Sequence, residues 1–144
     1  MKDKPGVKAL EVGSFEGRSA LWFLVNVLSH PTSSITCVDI FDNPVVEGHF
    51  DKNMAISGFS SKVIKVKARS DDALKQLKSG TYDFIYIDGS HVAKDVLVDA
   101  VLAWELLKPG GVVIFDDYAG AGFGSRFGRH KTPKLSINAF LDVL

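Results

Sequence analysis

An open, doubly wound α/β fold with a parallel sheet is what this sequence predicts. Three observations carry that expectation. Short apolar runs rich in β-branched residues alternate with longer amphipathic stretches. Each intervening stretch is long enough for a crossover between parallel strands. No internal repeat or low-complexity segment interrupts the rhythm. The 144 residues, 46% hydrophobic and 24% charged, form one domain with enough apolar side chain for a core.

In order, Val7–Val12 reads as a first strand that stops at Gly13, and Arg18 to Ser29 as an apolar helix closed by His30 and Pro31. Ser34–Asp39 is a second strand. A turn at Asp42-Asn-Pro44 precedes a helix from about Gly48 to Ile56, with Gly58 where a C-cap glycine belongs. Lys62–Lys67 alternates polar and apolar residues, as an edge strand does. Ser70 is placed to cap a short helix ending near Gly80. Tyr82–Asp88 is nearly continuous in apolar residues and reads as a buried central strand. Ala93 to Leu107 follows as a helix with Val96, Ala100, Ala103 and Leu107 on one face; Lys108-Pro-Gly-Gly111 ends it. Gly111–Phe115 is a fifth strand running into Asp116 and Asp117, and a last helix is expected from about Leu135.

Composition excludes several classes. Seventeen basic against seventeen acidic side chains give no net charge, which argues against gripping nucleic acid or an anionic membrane by bulk charge. The single cysteine, Cys37, makes no internal disulfide or multi-cysteine zinc site and reads as a buried strand thiol. The first residues lack an apolar run and no window is long enough to span a membrane, so a cytoplasmic domain is expected. Trp22 and Trp104, in apolar helices, are expected in the core.

Parallel sheets bind ligands at the carboxyl ends of their strands. Polar residues stand at all of those ends here: Glu11 with Gly13, Asp39, Ser70, Asp88, and Asp116 with Asp117. Glu11-Val-Gly-Ser-Phe-Glu-Gly17-Arg-Ser19 is a strand, a glycine turn and a helix start, where free N–H groups and close backbone approach favour a ligand. Its G-x-x-x-G spacing is not the G-x-G-x-x-G dinucleotide fingerprint, which disfavours a nicotinamide-dependent oxidoreductase. With Asp39 placed to accept both hydroxyls of a ribose, the pattern indicates a nucleoside-bearing cofactor.

The segment Ala9-Leu-Glu-Val-Gly-Ser-Phe-Glu-Gly-Arg-Ser-Ala20 resembles motif I of class I S-adenosylmethionine-dependent methyltransferases, in particular the catechol O-methyltransferase-like branch with its small-molecule and sugar O-methyltransferase relatives. Val38-Asp-Ile40, Phe50 with Asn53 and Gly58, Arg69-Ser-Asp71, Tyr82 to His91 and Leu106 to Tyr118 continue the resemblance in order. It implies a Rossmann-like sheet of about five parallel strands in the order 3-2-1-4-5. It implies S-adenosylmethionine as cofactor, with Glu11, Gly13, Gly17 and Ser19 around its methionine part, Phe15 nearby, Asp39 on the ribose, and Ile40 and Ser70 flanking the adenine. Asp88 would touch cofactor and metal. Asp116 and Asp117 stand where metal-dependent members have an Asp-Asn pair, and three carboxylates suit a hard divalent cation, Mg²⁺ above all. His91, three residues after Asp88, stands where catechol-type enzymes have a lysine thought to deprotonate the substrate hydroxyl, and an imidazole takes a proton at neutral pH. The bland alternatives are that His91 packs at the start of the helix from Ala93, that Asp116 or Asp117 caps a turn, and that Tyr118 anchors a loop rather than lining the substrate mouth.

The implied reaction is methyl transfer to a hydroxyl oxygen of a small molecule or sugar. The alternatives are a non-catalytic or truncated S-adenosylmethionine-binding module and a nucleic-acid or protein methyltransferase on the same fold. The loop Gly120 to Gly128, with Arg126, Arg129, His130, Lys131 and Lys134 close by, reads as a lid that attracts an anionic substrate or as an ordinary solvated basic loop. The C-terminal antiparallel hairpin usual in this family has no counterpart in the sequence, so a fold truncated at its C-terminus is expected. Its fifth strand would be an exposed apolar edge, or one covered by a partner chain as in a homo-oligomer.

Overall fold

The computed structural model describes residues 1–118 and 132–144. Five parallel strands, β1 (Lys8–Val12), β2 (Ser34–Asp39), β3 (Val63–Lys67), β4 (Tyr82–Ile87) and β5 (Leu107–Phe115), form one sheet in the order β3-β2-β1-β4-β5. The helices are α1 (Arg18–Asn26), α2 (Pro44–Ser57), α3 (Ser70–Gln76), α4 (Ala93–Leu106) and α5 (Pro133–Asp142); one 3-10 turn, Ser60–Lys62, leads into β3. The expected fold class and strand order are therefore present, and the order reverses between β1 and β4.

Helices on both faces explain why the strands read as unbroken apolar runs. Ala9, Ile35, Cys37 and Phe84 pack under Ala20, Phe23, Leu24 and Leu28 of the α1 region, together with Phe50 and Met54 of α2. Leu10, Val38, Ile85 and Ile87 pack on the other side against Ala73 and Leu74 of α3 and Ala103 and Leu106 of α4. Cys37 is buried within the first layer, as expected.

The boundaries of α2, α3 and β5 differ from the sequence reading. Helix α2 starts at Pro44 rather than near Gly48, because the Asn43 side chain accepts from the Val45 N–H at 2.9 Å and Pro44 presets a helical φ at the first position. What looked like a turn is an N-cap. Ser70 does not cap α3: Arg69 occupies the cap with no side-chain bond, and Ser70 is the first helical residue. Strand β5 takes in the Lys-Pro-Gly-Gly segment. Tyr82 pairs with Leu107 and Phe84 with Val112, so the intervening residues form an irregularity at the strand entry, where Gly110 adopts φ 77°.

Trp22 and Trp104 are not core residues: they are 57% and 43% exposed. Each lays an edge on a buried phenylalanine instead, Trp22 on Phe23 and Trp104 on Phe140 of α5, with ring centroids 5.6 and 5.8 Å apart. Helix α5 packs along α4, and Phe140 also meets Phe115 of β5. Among the described residues β5 pairs only with β4, and Val112 and Ile114 stay 45% and 40% exposed. No described helix is long and apolar enough to cross a membrane.

Candidate functional site

The carboxyl ends of β1, β2 and β4 meet where the strand order reverses, and a cavity of about 580 Å³ opens there. Its wall is built from close backbone approaches. The Gly13 N–H donates to the Val38 carbonyl at 2.9 Å, and the Asp88 N–H donates to the Val12 carbonyl at 2.8 Å. Gly13 has φ 88°, and a Cβ there would stand 2.1 Å from the Asp88 carbonyl oxygen. Only glycine lets the loop after β1 rest on the end of β4. Gly17, at φ 83°, is needed for another reason: a Cβ would collide with the Met54 side chain of α2.

Asp39 braces the loops on either side of it. One carboxylate oxygen accepts from the Phe15 N–H at 2.8 Å, the other from the Phe41 N–H at 3.0 Å. Phe15 and Phe41 both have positive φ, 46° and 44°, a conformation that costs a non-glycine residue energy and is sustained here by those two bonds. Gly13, Phe15, Asp39, Ile40, Ser70 and Asp88 all line the cavity. Glu11, Gly17 and Ser19 do not. Glu11 lies wholly buried on the other side of β1, beside Ser14, Ser19 and Cys37 but without a well-formed hydrogen bond to either oxygen. Burial pushes its carboxyl above the usual carboxylate range.

At the outer end of the site Asp88, His91 and Asp117 converge, with one potential ligand atom from each within 4.8 Å of the others. The His91 Nδ1 is 3.2 Å from an Asp117 carboxylate oxygen. Burial, and after it the charges of Asp116 and Asp117, push the Asp88 carboxyl up to about 6. The Asp88 and Asp117 carboxylates are hard oxygen donors that fit a divalent cation, and the His91 imidazole stands beside them. Asp116, the third carboxylate expected there, lies beside Asp88, and it accepts from the Tyr86 hydroxyl at 2.5 Å and from the Asp117 N–H at 2.9 Å. Those two donors hold its carboxyl below the usual range.

Two contributors escaped the sequence reading. Asp99, on α4, lines the cavity at 2% exposure, and burial pushes its carboxyl up to about 6 with the Ser70 hydroxyl beside it. Its position between Val96 and Ala103 on the apolar face of α4 was the available signal, since an acid on a buried stripe needs a reason. Tyr86 reads as one more apolar residue of β4, and nothing local marks its hydroxyl as a partner of Asp116. Tyr118 donates to the Asn138 side chain of α5 at 2.9 Å, so it ties the end of β5 to α5. The Gly120 to Gly128 loop, with Arg126, Arg129, His130 and Lys131, lies outside the described residues.

Comparison with known proteins bears on the same region. Residues 10–118 match the family described as a methyltransferase domain. A curated relative from Dictyostelium discoideum, named probable caffeoyl-CoA O-methyltransferase 3, is 27% identical over 135 residues, covering 93% of this chain and 52% of that protein. An O-methyltransferase from Bacillus cereus, solved in complex with S-adenosylhomocysteine, superposes with a TM-score of 0.75 at 20% identity, covering 94% of this chain and 60% of that one. A protein from Corynebacterium glutamicum gives a TM-score of 0.72 at 18% identity, covering 99% and 64%. The chain thus spans about half the length of the curated relative and less than two thirds of these solved chains.

Proposed function

The chain belongs to the methyltransferase domain family, and on that footing we propose that it transfers a methyl group from S-adenosylmethionine to a hydroxyl oxygen of a small molecule or sugar. The observation that carries the reading is the convergence of Asp88, His91 and Asp117, the first two of which line the same cavity as Gly13 and Asp39. When bound, S-adenosylmethionine supplies an electrophilic methyl group, and a divalent cation such as Mg²⁺ supplies positive charge that favours the deprotonated acceptor.

The chain's own residues do the rest. Asp39, already fixed by two N–H donors, keeps lone pairs for the hydroxyls of a ribose. Ile40 offers an apolar face to a purine, and Ser70 lines the same cavity. Glu11 takes a supporting part beneath the loop rather than a contact in the cavity. Asp88 and Asp117 would hold the cation. His91, next to the Asp117 carboxylate, takes the proton of the acceptor hydroxyl at the imidazole. Placing acceptor and methyl donor in line removes most of the entropic barrier to displacement.

A screen of hydroxyl acceptors for conversion of S-adenosylmethionine to S-adenosylhomocysteine tests the reading. The His91→Ala variant should lose about a hundredfold or more in turnover while binding S-adenosylhomocysteine as the wild type does. Turnover that survives in this variant contradicts the proton-acceptor role. The second reading, a binding module without turnover, is favoured by the chain spanning about half of its curated relative. Tight cofactor binding with no turnover across the acceptor panel, with cation present, would select it.

A further inference from the structure

Gly13 and Phe15 of the loop after β1 line the cavity, and the largest side chain of that loop, the Phe15 ring, is 62% exposed. The second strand holds the loop at two points, where the Gly13 N–H donates to the Val38 carbonyl and the Phe15 N–H donates to Asp39. Helix α2 holds it at a third. The Asn53 side-chain amide donates to the Glu16 carbonyl at 2.9 Å, and His49, one turn earlier on the same helix face, donates from Nδ1 to the Glu16 carboxylate at 2.7 Å. Phe50 and Met54 adjoin these two residues. A Cβ at Gly17 would stand 2.3 Å from the Met54 Cε and 3.0 Å from the Phe50 ring, so the end of the loop is seated on that side of α2. Phe50 and Met54 are buried and fix α2 on the core, whereas Asn53 is half-buried and His49 is exposed.

We propose that Asn53 is a positioning residue for the cofactor: by fixing the Glu16 carbonyl it sets the backbone of the loop along which the amino-acid arm of S-adenosylmethionine lies. The inference rests on the cofactor reading given above and adds a residue outside the cavity that governs affinity within it. With the ribose on Asp39 and the purine toward Ile40 and Ser70, the arm runs along Gly13 and Phe15 toward Asp88, all of which line the cavity. The residues on both sides of Glu16 have positive φ, 46° at Phe15 and 83° at Gly17, so the chain turns sharply there. Holding the Glu16 carbonyl selects one orientation of the peptide unit inside that turn, and the hold comes from a helix that the core already fixes. The His49–Glu16 pair adds less, because both side chains are open to water.

Two measurements on the purified chain test this without reference to activity. In the ligand-free chain, amide hydrogen exchange followed by NMR should show Phe15 and Gly17 exchanging at least about tenfold faster in Asn53→Leu than in the wild type, with Leu10 and Val12 of β1 unchanged. In calorimetric titration the same variant should bind S-adenosylhomocysteine at least about fivefold more weakly, while 5′-methylthioadenosine, which carries the base and ribose without the amino-acid arm, keeps its affinity within about twofold. If β1 also exchanges faster in Asn53→Leu, Asn53→Ala carries the same comparison. His49→Ala and Glu16→Ala should each give a smaller loss, and the double variant no larger a loss than either alone, because one acts through the other. Exchange at Phe15 and Gly17 no faster than in the wild type, or equal losses for the two ligands, would overturn the inference while leaving the cofactor reading intact. A folded wild-type chain that binds neither ligand would overturn both.

Discussion

Asp39, Glu11 and Asp99 are acids with three different fates, and environment rather than residue type separates them. Asp39 is held open to the cavity by two backbone donors, so its loss should be felt in ligand binding. Asp39→Ala is expected to weaken S-adenosylhomocysteine binding by at least about tenfold, from two charge-assisted hydrogen bonds removed and two strained loops released, with calorimetric titration as the check. Unchanged affinity would remove Asp39 from the ribose site. Asp99 carries a pH signature. Its carboxyl is pushed from the ordinary 3.8 up to about 6, so folding favours its neutral form. The stability contributed by that preference is present below about pH 4 and is lost as the pH rises through about 6. Asp99→Asn cannot titrate. Relative to the wild type it should therefore gain stability between pH 4.5 and pH 8, by an amount on the order of 2 kcal/mol, measured by urea unfolding at both values. A difference that does not change with pH would show that Asp99 is not destabilised as a charged group.

Among the elements, the loop after β1 is the most constrained. Gly13 combines a positive φ with a backbone contact that leaves no room for a methyl group. Gly13→Ala should cost at least about 2 kcal/mol of stability and should separate the loop from the end of β4, reducing cofactor affinity as well. Normal stability in denaturant titration would contradict the close approach. Helix α5 depends on a different feature, the insertion of Phe140 between Trp104 and Phe115. Phe140→Ala should cost about 3 kcal/mol, read as a lowered melting temperature. The strands and the glycine turn were legible because their signals are local: apolar period, β-branching and a punctuating glycine. The start of α2 was misplaced because Asn-Pro reads as a turn and as a helix entry alike, and only the bond from the Val45 N–H distinguishes them. The entry to β5 was misplaced because its pairing with Tyr82 is set across the sheet.

For the whole molecule, alternation of short apolar runs with crossover-length helices was enough to predict a parallel sheet and a site at its strand ends. The side-chain assembly at that site was less legible. Asp88, His91 and Asp117 converge from the end of β4 and the turn after β5, and the strand spacing brings them together. The hydrogen bond that holds Asp116 comes from a tyrosine hydroxyl thirty positions earlier in the chain, which no periodicity encodes. The positions of Trp22 and Trp104 make the same point in reverse: an apolar helix context predicts burial, but each ring only borders the core.

A cofactor site at the switch point of the sheet is tested by calorimetric titration with S-adenosylhomocysteine, with and without Mg²⁺. One site per chain with micromolar affinity is expected, with a coupled change when Mg²⁺ is present and a rise in melting temperature that grows with ligand concentration. A folded sample that takes up no S-adenosylhomocysteine, with or without Mg²⁺, would contradict it.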